Sequence, residues 1–229
     1  MNAGTVGVAK TAPYFLEERP DVQAMIDPRG KRILDVGCAG GALGLALRRA
    51  GASEIVGIEA LPEVAAEARR KLHHVLVADA ESLELPFDDE AFDCIIFADV
   101  LEHARDPWAM LAAFRRYLKA NGEIVASIPN FRFYAVIARL VFDRWRYAES
   151  GILDRTHLRF FTLPTIREMF SGAGYRIERV QPTYRLFEDQ SDIGRVGALL
   201  SRWFCRFVAP VVGRHFFTFQ YLVVATKAP

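Results

Sequence analysis

The chain predicts an α/β fold built on a largely parallel sheet, and three observations carry that expectation. Short apolar runs alternate with stretches of helical periodicity along the first 130 residues. Runs such as EIVGI and CIIFA are apolar on both faces, as strands covered by helices on each side must be. The run at residues 32–36 passes directly into a glycine-rich turn, GCAGG, that opens a helical segment.

The elements follow in order. Strands are expected at residues 32–36, 54–58, 74–78, 92–98 and 122–128, with helices at 42–50, 62–72 and 106–119 between them. Pro62 and Pro107 stand where a first helical turn tolerates proline, because that turn has no intrahelical partner for their missing N–H. After Asn130 the character changes. NFRFYAVIARLVFDRWRY, residues 130–147, is aromatic and basic and reads as a helix. Thr162 and Pro164 open another helix at 163–171, which Gly172 and Gly174 end. YRIERVQPTYRLF alternates as a strand does, and FFTFQYLVVATK supplies a last one. Lying close in sequence, these two are expected to pair antiparallel at a sheet edge.

Composition narrows the class. At 229 residues, 52% hydrophobic and 25% charged, the chain can bury a full core and does not read as disordered. A net charge of +1 gives no global attraction for nucleic acid, so no nucleic-acid partner is expected. Cys38, Cys94 and Cys205 are widely spaced without a CxxC pair, which fits neither a disulfide framework nor a zinc site. The N-terminus lacks the pattern of a signal peptide and no long uncharged stretch follows, so a cytoplasmic protein is expected.

The glycine turn points to a ligand. Gly37, Gly40 and Gly41 bare the backbone, and the following helix offers free N–H groups and a positive dipole end. Glu59 closes the second strand, where a carboxylate can accept both hydroxyls of a ribose. Asp79 closes the third, followed by Ala80, at a position suited to an adenine amino group. A pyrophosphate site would prefer GxGxxG, whereas here Asp35 precedes the turn. An acid at that point repels phosphate and favours an ammonium or sulfonium. The charge selects a cationic nucleoside, S-adenosyl-L-methionine.

LDVGCAGG, IEALP, ADAESLELPFDDEAFDCIIFADVLEH and NGEIVASIPN occur in the order of, and resemble, the motifs of class I S-adenosylmethionine-dependent methyltransferases over roughly residues 30–130. The resemblance implies a Rossmann-like seven-stranded sheet with its last strand antiparallel and helices on both faces. Aromatic-rich helical insertions would follow the fifth strand and separate the last two. One domain is expected over residues 1–229, with a cap at 1–30, a cofactor-binding core at 31–130 and an acceptor-side insertion with the C-terminal sheet edge at 131–229. The cofactor positions it implies are Asp35, Gly37, Cys38, Ala39, Gly41, Glu59, Ala60, Asp79, Ala80, Ala98 and Asp99. Tyr14 joins them from a segment that such enzymes fold over the cofactor, where an aromatic face favours a sulfonium. Ala39 departs from the family, which usually has glycine there. Cys38 reads as a small buried side chain within the turn.

For the acceptor, a hydroxyl must lose its proton, which favours a histidine in the pocket. His103, in DVLEH just past the fourth strand, is one candidate, with a structural hydrogen bond as the alternative. His157, in LDRTHLRFF, is the other; DxTHxRFFT resembles a subset of methyltransferases associated with polysaccharide and cell-surface glycan synthesis. The alternative there is a polar junction holding helices to the sheet edge. His73, His74 and His215 read as structural. A small molecule or glycan intermediate is the expected acceptor, with a quinone, natural product or amine as the alternative. A cofactor-binding scaffold without chemistry is the other class of reading. No metal is expected, because Asp88, Asp89 and Glu90 occupy one turn rather than several converging loops. Between residues 193 and 212, apolar residues recur at helical spacing opposite Arg195, Arg202 and Arg206. That pattern suits packing on the sheet, a homodimer interface or peripheral membrane contact.

Overall fold

A computed structural model describes residues 18–82, 84–184 and 213–229. Tyr14 and the amphipathic stretch at 193–212 lie outside the described residues. Seven strands form one sheet in the order β3-β2-β1-β4-β5-β7-β6. They are β1 (Arg32–Val36), β2 (Glu54–Glu59), β3 (His74–Val77), β4 (Phe92–Ala98), β5 (Leu118–Pro129), β6 (Tyr175–Tyr184) and β7 (Thr218–Lys227). β1 to β5 are mutually parallel, with Leu34 opposite both Val56 and Ile95. β7 runs antiparallel to β5 and β6, between them, as the resemblance implied for the last strand.

Alternate residues of β1 serve opposite faces. Leu34 and Val36 join one apolar cluster with Leu111, Phe114, Ile166 and Phe170. Those partners come from α4 (Pro107–Phe114) and α6 (Leu163–Gly172). Ile33 joins another cluster with Val22, Leu43 and Leu47 from α1 (Pro20–Gln23) and α2 (Ala42–Arg49). The layers are therefore helix, sheet, helix. β2 and β3 extend the sheet to one side of β1, and β4 and β5 extend it to the other. At that reversal the loops after β1 and β4 diverge and open a crevice at the carboxyl ends of the strands.

Several elements end earlier than their periodicity suggests. α3 (Pro62–Ala68) stops short of the expected 72. α4 ends at Phe114 and gives way to one tight turn, Arg115–Tyr117, because buried Leu118 already pairs with Phe92 as the start of β5. That strand start was concealed by its polar LKANGE sequence, whose Lys119 and Glu123 pair with Asp93 and Lys31. The helix expected over 130–147 is cut to α5 (Tyr134–Val141). Asn130 is withdrawn from it by two bonds, its side-chain amide donating to the carbonyls of His215 at 2.8 Å and Thr218 at 2.7 Å. Asp143, with φ 54, stands beyond its other end. At the end of α5 the side chains of Val141 and Phe142 are exposed. α6, by contrast, begins as expected, with the Thr162 N–H donating to the Thr165 hydroxyl at 2.9 Å. No helix among the described residues is long and apolar enough to cross a membrane.

Candidate functional site

The turn from β1 into α2 is left-handed at three places: Gly37 (φ 68), Ala39 (φ 47) and Gly41 (φ 75). Gly41 N–H closes it by donating to the Cys38 carbonyl at 2.9 Å, and Cys38 N–H ties it to β2 through the Ile58 carbonyl at 2.9 Å. A Cβ on Gly37 would stand 2.8 Å from Val100, so that position excludes side chains twice over. Ala39 holds a conformation that costs an L-residue roughly 1–2 kcal/mol. Ala39→Gly removes that strain but adds chain entropy to the unfolded state, so a net gain of up to about 1 kcal/mol in urea unfolding is expected. A clear loss would mean that the methyl group packs against something the turn requires.

Glu59 ends β2 and is 9% exposed. Its carboxylate accepts the Ala39 N–H at 3.0 Å and the Leu61 N–H at 2.9 Å, so it braces the glycine turn against the start of α3. Both oxygens keep a second lone pair for a ligand. Beneath the turn, Asp35 is 2% exposed, and its Oδ2 is buried without a hydrogen-bond partner. Burial, and then the neighbouring Glu59, push its pKa up to about 7. Cys38 is buried beside these acids, and burial with Asp35 and Glu59 drives its thiol far above the usual range. Its sulfur occupies the space that a side chain at Gly57 would need, since a Cβ there would meet Sγ at 2.5 Å. Cys38 is thus an inert packing residue.

A cleft of about 200 Å³ opens beside the turn, and Gly37, Glu59, Ala60, Asp79, Ala80 and His103 are among its walls. Six positions expected from sequence therefore converge. Asp79 lies two residues past β3 rather than at its end; it accepts the Glu81 N–H at 3.0 Å and pairs with Arg105 at 3.2 Å. Asp35, Cys38, Ala39 and Gly41 build the turn without lining the cleft, and neither Ala98 nor Asp99 lines it. Asp99 is left-handed (φ 54), and its carboxylate takes Ser127 Oγ at 2.8 Å, Gln220 Nε2 at 2.6 Å and the Arg19 guanidinium. Arg19 also binds Asp21 at 3.0 Å. Burial opposes its charge, but Asp99 and Asp21 more than offset that and raise its pKa. No sequence signal marked Arg19. A wider hollow of about 740 Å³ at the β6 edge shares no lining residue with the cleft.

Beside the cleft the two candidate histidines meet. The rings of His103 and His157 lie 4.7 Å apart, edge to face. His103 Nδ1 is 3.1 Å from the Thr156 carbonyl oxygen, and His157 Nδ1 is 3.0 Å from that of Ile152. A carbonyl only accepts, so in each of these bonds Nδ1 is the donor; His103 Nδ1 is also 3.1 Å from the Thr156 hydroxyl oxygen. Glu102 completes the group at 1% exposure. Its carbonyl accepts the N–H groups of Leu158 at 2.8 Å and Arg159 at 3.0 Å, which pins the DRTHLRFF segment to the turn after β4. Asp154 organises that segment by accepting the Thr156 N–H at 2.8 Å and hydroxyl at 2.6 Å. Of the other histidines, His73 Nδ1 accepts the Ile55 N–H at 2.9 Å, His74 Nε2 lies 3.6 Å from the Glu54 carboxylate, and His215 Nδ1 lies 3.2 Å from the Tyr221 hydroxyl.

A doubly wound sheet whose glycine turn stands over a buried acid, with a ribose-type carboxylate on the next strand, is the architecture of class I methyltransferases. The chain matches the family described as Methyltransferase domain over residues 8–180, and it belongs to that family. It is 30% identical over 160 residues to a ubiquinone biosynthesis O-methyltransferase of Cereibacter sphaeroides, covering 67% of this chain and 64% of that one. This chain thus aligns with somewhat under two thirds of that relative's length. A protein of the same description from Xanthomonas axonopodis is 35% identical over 165 residues, covering 69% and 68%. Among solved structures, an S-adenosylmethionine-dependent methyltransferase from Mesorhizobium loti shares the fold at TM-score 0.62 and 19% identity, covering 92% of this chain and 97% of that one.

S-adenosylmethionine is the cofactor that membership in this family implies, and the residues present fit it. Asp35 offers a buried, partnerless carboxylate oxygen that a cationic ligand would satisfy. Glu59 is braced by main chain with lone pairs to spare, and Ile58, Ala80 and Met110 provide apolar wall for a purine.

Proposed function

We propose that the protein transfers a methyl group from S-adenosylmethionine to a ring hydroxyl of a quinone-type acceptor. When bound, the cofactor supplies an electrophilic methyl on sulfur whose departure leaves a neutral thioether. Asp35 and Glu59 hold the charged and ribose ends, and the glycine turn lets backbone approach. His103 takes the acceptor side, with His157 behind it, receiving or orienting the hydroxyl through Nε2. The observation that carries this reading is a histidine in the wall of the nucleoside cleft, with its Nδ1 3.1 Å from the Thr156 carbonyl oxygen.

The quinone reading displaces the glycan intermediate put first from the sequence, because the relatives favour it: both are named for O-methylation in ubiquinone biosynthesis.

Purified protein incubated with S-adenosylmethionine and a dihydroxylated benzoquinol should form S-adenosylhomocysteine and methylated ring, with a lower KM for a prenylated acceptor than for a truncated one. His103→Ala should cut kcat by roughly 100-fold or more while leaving S-adenosylhomocysteine affinity nearly unchanged. Turnover undiminished in that variant would remove His103 from the chemistry. Cofactor binding without turnover on any such acceptor would favour the scaffold.

A further inference from the structure

Arg19 and Asp99 are both held left-handed, at φ 50 and φ 54, and their side chains meet. We propose that Arg19 is a positioning residue for methyl transfer: through Asp99 it fixes the turn after β4 that sets His103 in the wall of the cofactor cleft. The consequence for turnover rests on the methyltransferase reading above, and the positioning rests on the contacts alone.

The turn hangs on Asp99. Its N–H donates to the Ser127 hydroxyl at 3.0 Å, and that hydroxyl donates back to Oδ1 of its carboxylate at 2.8 Å. Gln220 Nε2, from β7, donates to the same oxygen at 2.6 Å, and Arg19 takes the other. The ends of β4, β5 and β7 and the segment before β1 thus converge on one carboxylate. Immediately past it, Val100 packs so near Gly37 that a Cβ there would stand 2.8 Å away. The His103 N–H then closes the turn on the Val100 carbonyl at 3.0 Å. Val100, His103 and Ala104 are all cleft wall. A change of φ at Asp99 would carry Val100 and His103 out of these places together. Aspartate tolerates left-handed backbone better than most residues, but a residue stays there only where its surroundings hold it.

Arg19 supplies that hold. Its guanidinium binds Asp21 through Nε and Nη2, both at 3.0 Å, and turns Nη1 to Asp99. A planar fork serves two carboxylates at fixed angles, which a lysine ammonium does not reproduce. The side chains of Arg19 and Asp99 are 13% and 20% exposed, so solvent and salt screen the pair less than a surface one. Docking of α1 does not need this contact. Val22, Met25 and Ile26 are buried in the core, and Arg179 Nη2 donates to the Met25 carbonyl at 2.8 Å. The reach to Asp99 is left to serve the turn. Without it, Asp99 would be a mostly buried charge lacking its counter-ion, and the carboxylate would swing outward to water.

Arg19→Met keeps the length and apolar stem of the side chain and removes the charge. With the benzoquinol acceptor, kcat should fall by about 10- to 100-fold, as small misplacements at a reacting centre cost, while S-adenosylhomocysteine affinity changes by about threefold or less. Asp35 and Glu59 hold the cofactor from other strands. Adding Asp99→Asn should recover most of the lost kcat. Asparagine accepts left-handed backbone, keeps an oxygen for Ser127 and Gln220, and needs no cation. A residue that merely anchored α1 would show no such rescue, because the double variant lacks that anchor too. The ring signals of His103 in NMR report the turn without turnover. They should move in Arg19→Met and return toward wild type in the double variant, while those of His73 stay in place. If Arg19→Met does not fold, Arg19→Lys, which retains the charge but not the fork, should move the same His103 signals. Wild-type kcat in folded Arg19→Met, a loss that Asp99→Asn leaves unrepaired, or unmoved His103 signals in a folded variant would overturn the proposal. Should the wild-type chain bind cofactor and not methylate the benzoquinol, the quinone reading fails, and the His103 signals decide the positioning.

Discussion

Asp35→Asn should make the ligand-free protein more stable and the cofactor complex weaker. The carboxyl is buried with one oxygen unpartnered, and its pKa stands at about 7 against an ordinary 3.8. A folded-state pKa above the unfolded value means that the native state binds the proton more tightly. Stability therefore falls as pH rises from about 4 to about 7 and stays low above that. A shift of some three units corresponds to roughly 4 kcal/mol as an upper figure, which asparagine, neutral and nearly isosteric, would recover. Urea unfolding of variant and wild type should diverge above pH 7 and converge toward pH 4. Taking the difference between the two proteins removes Asp21, Asp93 and Glu81, whose lowered pKa values give the opposite slope. In the same variant, affinity for S-adenosylmethionine should drop by about 1.5–3 kcal/mol, the usual worth of a hydrogen bond to a charged group. A variant that gains no stability at pH 8 would show that the buried carboxyl finds a partner in solution. One that gains stability and binds cofactor as well as wild type would show that the acid serves the fold alone.

Glu59→Ala should damage binding and folding together. The carboxylate accepts two main-chain N–H groups, from Ala39 and Leu61, and lines the cleft. Alanine orphans both amides, at about 1–3 kcal/mol each where they remain buried, and deletes the ribose acceptor. Calorimetric titration with S-adenosylhomocysteine should show affinity lower by about 1.5–3 kcal/mol. Glu59→Gln separates the two effects. Its one remaining carbonyl oxygen can still take one amide, so part of the stability returns, while a ribose that needs both oxygens stays poorly held. Equal affinity in wild type and Glu59→Ala would relocate the nucleoside site.

All seven strands were legible, because each is a run marked by its own apolar or alternating pattern, and only the start of β5 was hidden. β1 to β4 fall within a residue of their expected bounds, and the glycine turn sits where GCAGG places it. The turn's chemistry was equally local: Gly37 and Gly41 are left-handed because the chain must reverse in few residues. Local reading failed where a distant contact overrode it. Residues 130–147 have the apolar content of a helix, yet Asn130 is claimed by carbonyls more than eighty residues away, and the helix shrinks to Tyr134–Val141. LKANGE looked too polar for a strand until Lys119 and Glu123 found partners at the sheet's amino end.

The candidate site divides the same way. The amino-acid order alone determined that this chain carries a doubly wound sheet, a glycine turn with an acid beneath it and Glu59 on the following strand. Those features are set by period, turn geometry and the chemistry of single residues. Only the tertiary structure decided that His103 and His157, more than fifty residues apart, share one corner with Glu102, and that Asp99 is engaged by Arg19, Ser127 and Gln220. A strand's pattern is fixed by the two faces it must bury. A side chain's partner depends on how loops from separate strands end up packed, and nothing in the local sequence carries that distance.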